Sequence, residues 1–226
     1  MKNMNEAMTM NVGWVRTGIK RALYLAIKRT FDVYIGLVGV ILLIPITLIV
    51  KIAYMISGDF HKIMFTQKRI GKNGQEFKFI KYRTMVPNAD EVLFKLLEED
   101  EKLREEYELN KKLKNDPRIT KVGKVLRKLS IDELPQMINV FFGDMSLIGN
   151  RPYLPREKKD MGAYFKDIVN TKPGLTGYWQ VNLRSRGTFE QRLKMEKYYS
   201  DHAGFRLDIK IFFKTFKVVL TKDGAE

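Results

Sequence analysis

At 226 residues the chain is long enough for one domain with a sizeable core, or for one domain plus a membrane element, and two full domains are not expected. With 45% apolar and 30% charged residues, global disorder and fibrous repeats are excluded, and the absence of Cys rules out disulfides, thiolate metal sites and a cysteine nucleophile. A net charge of +15 favours partners that carry phosphate, whether nucleic acid, anionic lipid or a phosphorylated small molecule.

The N-terminal stretch Gly13 to Thr30 places Trp14, Val15, Ile19, Leu23, Tyr24 and Ile27 near helical spacing, with Arg16, Lys20, Arg21 and Lys28 between them. It reads as an amphipathic helix lying on lipid headgroups. From Val33 to Val50 there are 18 consecutive uncharged residues, a rod of roughly 27 Å if helical and barely a bilayer's hydrocarbon core. Pro45 removes the amide that would bond the Ile41 carbonyl, so a bend is expected there, with Thr47 offering a hydroxyl to the freed backbone. Lys20, Arg21, Lys28 and Arg29 precede the run, and Lys51, Lys62, Lys68, Arg69 and Lys72 follow it, so both flanks favour the cytoplasmic side. A re-entrant, proline-broken helix satisfies length, proline and charge together. A plain spanning helix is the alternative.

Phe65 to Arg69 and Phe77 to Tyr82 read as strands flanking the turn Gly71 to Gly74. Ala89 to Leu113 reads as one acidic helix, and the stretch Asp90 to Glu108 has a net charge of −6, which leaves +21 on the remainder. After Asp116-Pro117 comes a basic helix, Ile119 to Leu129, with Val122, Val125, Leu126 and Leu129 facing inward, then Leu134 to Phe142, closed by Gly143. Glycine- and proline-rich loops follow at Gly149 to Pro152 and Lys172 to Gly177. Phe189 to Tyr199 and Phe205 to Leu220 read as helices; the last carries Leu207, Ile211, Phe212, Phe216 and Val219 on one face, as a core helix or an interfacial one. The fold class is α/β, a helix-rich α+β arrangement with interfacial helices. Residues 1–30 are expected as the basic amphipathic interfacial segment, 31–57 as the re-entrant membrane helix and 58–226 as a cytoplasmic domain that would carry any chemistry.

Chemistry is best placed at Asp132-Glu133. Ser130-Ile131-Asp132-Glu133 fits a capping box, with Ser130 bonding the Glu133 amide, and a helix N-terminus there would lower a carboxylate's pKa and attract phosphate. Neighbouring helical positions point about 100° apart, so one acid can attack while the other holds a metal. Around them the loops supply Lys81, Arg83, Arg118, Arg127, Arg151, Lys172, Arg184 and Arg186. Arg151-Pro152 after Gly149 is the best placed for an anion, since arginine forks onto phosphate. His61 and His202 are too few and too isolated to form a triad or a zinc site.

In combination and order, several motifs resemble one family. They are Lys28-Arg29-Thr30-Phe31-Asp32, Phe79 to Met85 (FIKYRTM), Asp116 to Thr120 (DPRIT), Leu129 to Gln136 (LSIDELPQ), Gly143 to Gly149 (GDMSLIG) and Pro173 to Val181 (PGLTGYWQV). From about Lys28 to Leu220 the chain resembles the small monotopic polyprenyl-phosphate phosphoglycosyl transferases, bacterial sugar transferases that begin glycan assembly on a lipid carrier.

That resemblance implies transfer of sugar 1-phosphate from a UDP-sugar to polyprenyl phosphate with release of UMP, at the cytoplasmic leaflet of the bacterial inner membrane, in exopolysaccharide, capsule or other glycan biosynthesis. It implies Asp132 as the nucleophile, forming a covalent phosphosugar intermediate, and Glu133, beside Asp132, as the ligand of Mg²⁺. Arg127 and Arg151 match phosphate-contacting or supporting positions, Lys81 and Arg83 sit in the basic strand, Pro152, Gln180 and Arg184 fall in the matching loops, and all seven are expected to bind substrate or phosphate. A depressed pKa is expected for Asp132. The sequence departs from the usual pattern at Ile44 before Pro45, at Asn150 where proline is usual, at Leu183 where glycine is common, and at Glu196 where aspartate is frequent. A homodimer is plausible for membrane enzymes of this size. The competing reading is a non-catalytic, membrane-anchored protein that binds anionic lipid or glycan-assembly partners. A nucleic-acid partner is not expected, because the chain has a lipid-type anchor and lacks a basic helix interleaved with exposed aromatics.

Overall fold

Helix α1 (Lys2–Ile56) dominates the N-terminal quarter of the chain. The computed structural model describes the backbone of residues 2–110, 113–183 and 187–221, and side chains within 18–108, 113–183 and 187–218. The amphipathic segment and the apolar run, expected as separate elements, are one continuous helix with Pro45 inside it. Trp14, Val15 and Arg16 lie outside the described side chains. Among the described residues, Gly18–Ile56 is the one helix long and apolar enough to cross a bilayer.

Strands β1 (Met64–Ile70) and β2 (Glu76–Tyr82) form the expected hairpin. Then come α2 (Ala89–Glu99), α3 (Glu101–Asn110), α4 (Lys121–Lys128), α5 (Gln136–Phe142), β3 (Ser146–Ile148), α6 (Tyr164–Ile168), β4 (Gly174–Thr176), α7 (Tyr178–Asn182), α8 (Phe189–His202) and α9 (Phe205–Thr221). The result is a helix-rich α+β fold. The chain divides into two compact units, one built from the residues up to Val40, Lys68–Phe79 and those from Gln136 on, the other from Ile41–Gln67 and Ile80–Pro135.

In the first unit β3 and β4 pair in parallel, Ser146 opposite Gly174 and Ile148 opposite Thr176. At the end of this pairing the backbones of Gly149 and Gly174 touch so closely that a methyl on either would strike the other's main chain. Ile148, Val181, Tyr199 and Ile211 make one buried cluster, Tyr153, Met161, Ile168 and Leu193 a second, and Phe79, Val140 and Met145 a third. The motif Lys28 to Asp32 explains itself here. Lys28 pairs with Asp208, Arg29 donates to the carbonyls of Val140 and Phe141 at 2.8 and 2.7 Å, and Asp32 accepts from Ser146 Oγ and the Leu147 amide. Helix α9, expected as a core helix or an interfacial one, buries Asp208 and Ile211 and exposes Phe212, Phe213 and Phe216. Periodicity identifies the helix but not the side that meets the core.

In the second unit Leu43, Val50 and Tyr54, at helical spacing along α1, are buried, whereas Ile44, Leu48, Ile49 and Ile56 stand exposed. One stripe of the helix thus meets protein and the rest presents apolar surface. Thr47 Oγ1 bonds the Tyr82 hydroxyl at 2.6 Å. That replaces its expected bond to backbone freed by Pro45. The acidic helix is interrupted: Asp100 is extended (φ −130°, ψ 110°), and its carboxylate accepts the amides of Lys102 and Leu103 at 2.9 and 3.2 Å, which starts α3. In α4 the buried residues are Gly123 and Leu126, while Val125 and Leu129, expected inside, are exposed.

Candidate active site

The second unit gathers Lys81, Arg83, Arg127, Asp132 and Glu133. Beyond β2 the chain pairs with the segment after Asp116: the Val86 amide donates to Arg118 O at 2.9 Å and the Thr120 amide to Thr84 O at 3.0 Å. Thr120 then caps α4 by accepting the Gly123 amide at 2.9 Å. Gly123 is required there, since a methyl would strike the Thr84 carbonyl. This docking brings the last turn of α4 beside the end of β2, and Arg127 Nε donates to Thr84 Oγ1 at 3.0 Å. The Asp116–Arg118 pair beneath is buried and bidentate, at 2.8 and 2.7 Å.

Asp132 and Glu133 lie on a single 3-10 turn, Ile131–Glu133, ahead of α5. Ser130 enters it in the left-handed conformation (φ 55°, ψ 22°) and makes no side-chain cap, so the capping box does not form. Glu133 is exposed, and Asp132 is half-buried. Burial raises the Asp132 carboxyl above its ordinary value, while the charges of Lys81 and Arg127 pull it down. The expected depression is therefore reversed. A three-residue turn aligns too few peptide dipoles to offset the desolvation of a carboxylate. An acid held this way keeps the nucleophilicity of a basic oxygen, with cations at hand to favour ionisation.

Arg83 does something different from the phosphate contact expected of it. Nη2 holds both Asp59 oxygens at 2.9 and 3.0 Å, Nε donates to Lys62 O, Nη1 donates to Met85 O, and the guanidinium lies over the Tyr54 ring. Tyr54 in turn donates its hydroxyl to the Arg83 carbonyl. All three guanidinium nitrogens are bonded within the protein. The sequence marks the arginine but not Asp59, which sits 24 residues away with no motif around it.

Arg151, Pro152 and Gln180 belong to the first unit. The Arg151 amide donates to Glu196 Oε1 at 3.2 Å, and its buried Nε has no partner among the described residues. Pro152 offers its carbonyl to Arg69 at 3.1 Å, and Gln180 Nε2 donates to Leu175 O at 3.2 Å. Arg184 and Arg186 lie outside the described residues. No group of three or more metal-binding side chains occurs among the described residues. Two adjacent carboxylates nevertheless fit Mg²⁺, which takes few protein ligands and fills its shell with water and substrate phosphate. The donor set is therefore compatible with that ion and unsuited to zinc.

A family model described as bacterial sugar transferase matches residues 23–222. The chain is 42% identical to an undecaprenyl-phosphate galactose phosphotransferase of Salmonella typhimurium and 42% identical to a UDP-galactose-lipid carrier transferase of Erwinia amylovora, each over 88% of this chain and 41% of the relative. It is 38% identical to the exopolysaccharide production protein ExoY of Rhizobium meliloti, over 92% of both. The chain thus spans about two fifths of the first two relatives and nearly all of the third. The match covers α1 from Leu23 and every element carrying the site, and the chain belongs to the bacterial sugar transferase family.

Proposed function

We propose that this protein transfers sugar 1-phosphate from a UDP-sugar to polyprenyl phosphate at the cytoplasmic face of the membrane. The observation that carries the reading is the half-buried Asp132 carboxylate, raised by desolvation and faced by Lys81 and Arg127. One Asp132 oxygen attacks the sugar-proximal phosphorus, the bond from that phosphorus to the bridging oxygen breaks, and UMP leaves with the electron pair. The polyprenyl phosphate oxygen then attacks the same phosphorus and releases Asp132. Lys81 and Arg127 stabilise charge on the phosphoryl oxygens, and Arg151 engages the donor's phosphates. Asp132 and Glu133 would hold Mg²⁺, which supplies positive charge to the diphosphate when bound. The names of two relatives make UDP-galactose the first donor to test.

The reading requires both substrates to meet at the lipid surface. In support, residues before the apolar run bond to the C-terminal part of the chain, through Lys28 to Asp208 and Arg29 to Val140. Residues after its midpoint bond the end of β2 and the residue following it, through Thr47 to Tyr82 and Tyr54 to Arg83. The middle of α1 is thus bonded within the first unit and its C-terminal part within the second; with Pro45 inside the apolar run and basic residues on both flanks, the proposed topology is a re-entrant helix bending at Pro45. Cysteines placed at Thr30 and Ser57 should be labelled from the same side of the bilayer; labelling from opposite sides establishes a spanning helix. For the chemistry, Asp132→Asn should abolish UMP release while leaving membrane binding intact. Enzyme quenched with donor and no acceptor should carry a phosphosugar on Asp132 by mass spectrometry. Unchanged turnover in the variant would leave a non-catalytic, lipid-binding role as the better account.

A further inference from the structure

Glu196 has no part in the chemistry just described, yet it is the most deeply buried acid in the first unit, 1% exposed. It lies on α8 and reaches the loop after β3, where Oε1 accepts the Arg151 amide at 3.2 Å. Ser200, one turn further along the same face of α8, accepts Asn150 Nδ2 at 2.7 Å. Asn150 Nδ2 also contacts Ile168 O and Thr171 Oγ1, each at 3.2 Å. Two successive residues of the loop are therefore gripped by two successive turns of one helix. The hydrogen bonds of Asn150 restrain the loop as a proline ring would by covalent restriction.

The surroundings of Glu196 are charged. Arg151 and Tyr153 face it from the loop and Arg192 from α8 itself, with Glu157 beyond Arg192. Arg192 lies over the rings of Trp179 and Phe189, and its buried Nε, like that of Arg151, has no partner among the described residues. Of the elements packed on α8, α6 brings Tyr164, Lys166 and Asp167, the last paired with Lys197 at 2.8 Å, and α7 brings Tyr178, tilted against Tyr198. Two guanidiniums so close repel one another, and a carboxylate beside them offsets that repulsion.

We infer that Glu196 is a positioning residue for Arg151: its carboxylate, with Ser200 one turn away, fixes residues 149–152 so that Arg151 meets the donor's phosphates. The inference rests on the proposed transfer reaction for what Arg151 holds. The negative charge of Glu196 strengthens the bond from the Arg151 amide and counters Arg192, so its loss loosens the loop without touching Asp132. Burial pushes the Glu196 carboxyl up to about 7, against the pull of Tyr153, the Arg151 amide and both guanidiniums toward ionisation. The hold on the donor therefore weakens as pH falls through neutrality.

The test uses the full chain in lipid nanodiscs with UDP-galactose and polyprenyl phosphate, reading UMP release from pH 5.5 to 8.5 for wild type, Glu196→Gln, Glu196→Asp, Arg151→Ala and the double variant Glu196→Gln/Arg151→Ala. In wild type the donor KM should rise on the acid side of pH 7. Glu196→Gln should remove that step and raise KM at pH 8 roughly tenfold, with kcat little changed, and Glu196→Asp should restore the step. The double variant should be no worse than Arg151→Ala alone. Additive losses, or an unchanged pH profile in Glu196→Gln, overturn the inference while leaving an active wild type. Failure of the transfer reading shows instead as wild type that releases no UMP. In that case hydrogen exchange decides: the peptide holding the Arg151 amide should exchange faster in Glu196→Ala than in wild type, and equal rates overturn the inference.

Discussion

Asp132 and Glu196 are both acids raised by burial, and their settings differ in what the burial serves. Asp132 sits half-exposed on a three-residue turn, with Lys81 and Arg127 acting on it through charge. Glu196 sits fully inside, bonded to a backbone amide and hemmed by two guanidiniums. The first arrangement leaves an oxygen available to react; the second spends its oxygen on holding a loop. Desolvation alone thus does not identify a nucleophile. Access and the nature of the partner do.

The largest expected effect separates these roles by turnover. Asp132→Asn should lower UMP release by about a thousandfold or more, as removal of a covalent nucleophile does, against the roughly tenfold KM effect of Glu196→Gln. Equal losses at the two positions, measured under saturating donor, would erase the distinction. Next comes a contrast between two arginines of the same unit. Arg83→Ala should destabilise the fold by about 3 kcal/mol, because it leaves Asp59 without its buried partner, whereas exposed Arg127→Ala should cost about 1 kcal/mol in stability and reduce activity. Denaturation of both variants, set beside their UMP release, checks the assignment.

The last effect is a pH dependence of stability with a defined sign. An unfolded Glu196 titrates at its ordinary 4.5 and the folded one at about 7, so below 4.5 the residue leaves folding unaffected by pH. Between 4.5 and 7 the unfolded chain gives up a proton that the folded chain keeps, and stability is lost as pH rises. Glu196→Gln lacks this penalty. Its unfolding free energy, from denaturation at each pH, should match wild type below pH 4.5, exceed it increasingly toward pH 7 and hold a constant excess above, by at most about 3 kcal/mol at one pKa unit per 1.36 kcal/mol. The side chain that secures the loop thus does so at some expense to the fold, as expected of groups retained for function.

Much of this was legible beforehand because it is local. The Gly71 to Gly74 turn announces the β1 and β2 hairpin, Asp116-Pro117 marks the break before α4, and Gly143 closes α5 with φ 95°. What escaped depends on partners distant in sequence. Nothing near Asp100 signals that its carboxylate would cap α3 and split one acidic helix into two. Ser130 matches a capping box in letters, but its left-handed backbone turns the side chain to no cap. Arg83 reads as a phosphate ligand until Asp59, Lys62 and Met85 are seen around it. Periodicity gave α9 its extent but left open whether Phe212 and Phe216 face a core or an interface, because an exposed apolar side chain looks the same in sequence as a buried one.

The bond between Thr47 and Tyr82, with Tyr54 bonded to Arg83 two turns further along α1, fastens the long apolar helix to the strand that carries Lys81. Helix and strand must then rise or sink together. If α1 enters lipid as proposed, the depth it reaches sets the height of Lys81 above the headgroups, and leaflet thickness becomes a determinant of how readily the proposed nucleotide and lipid substrates share one reaction plane.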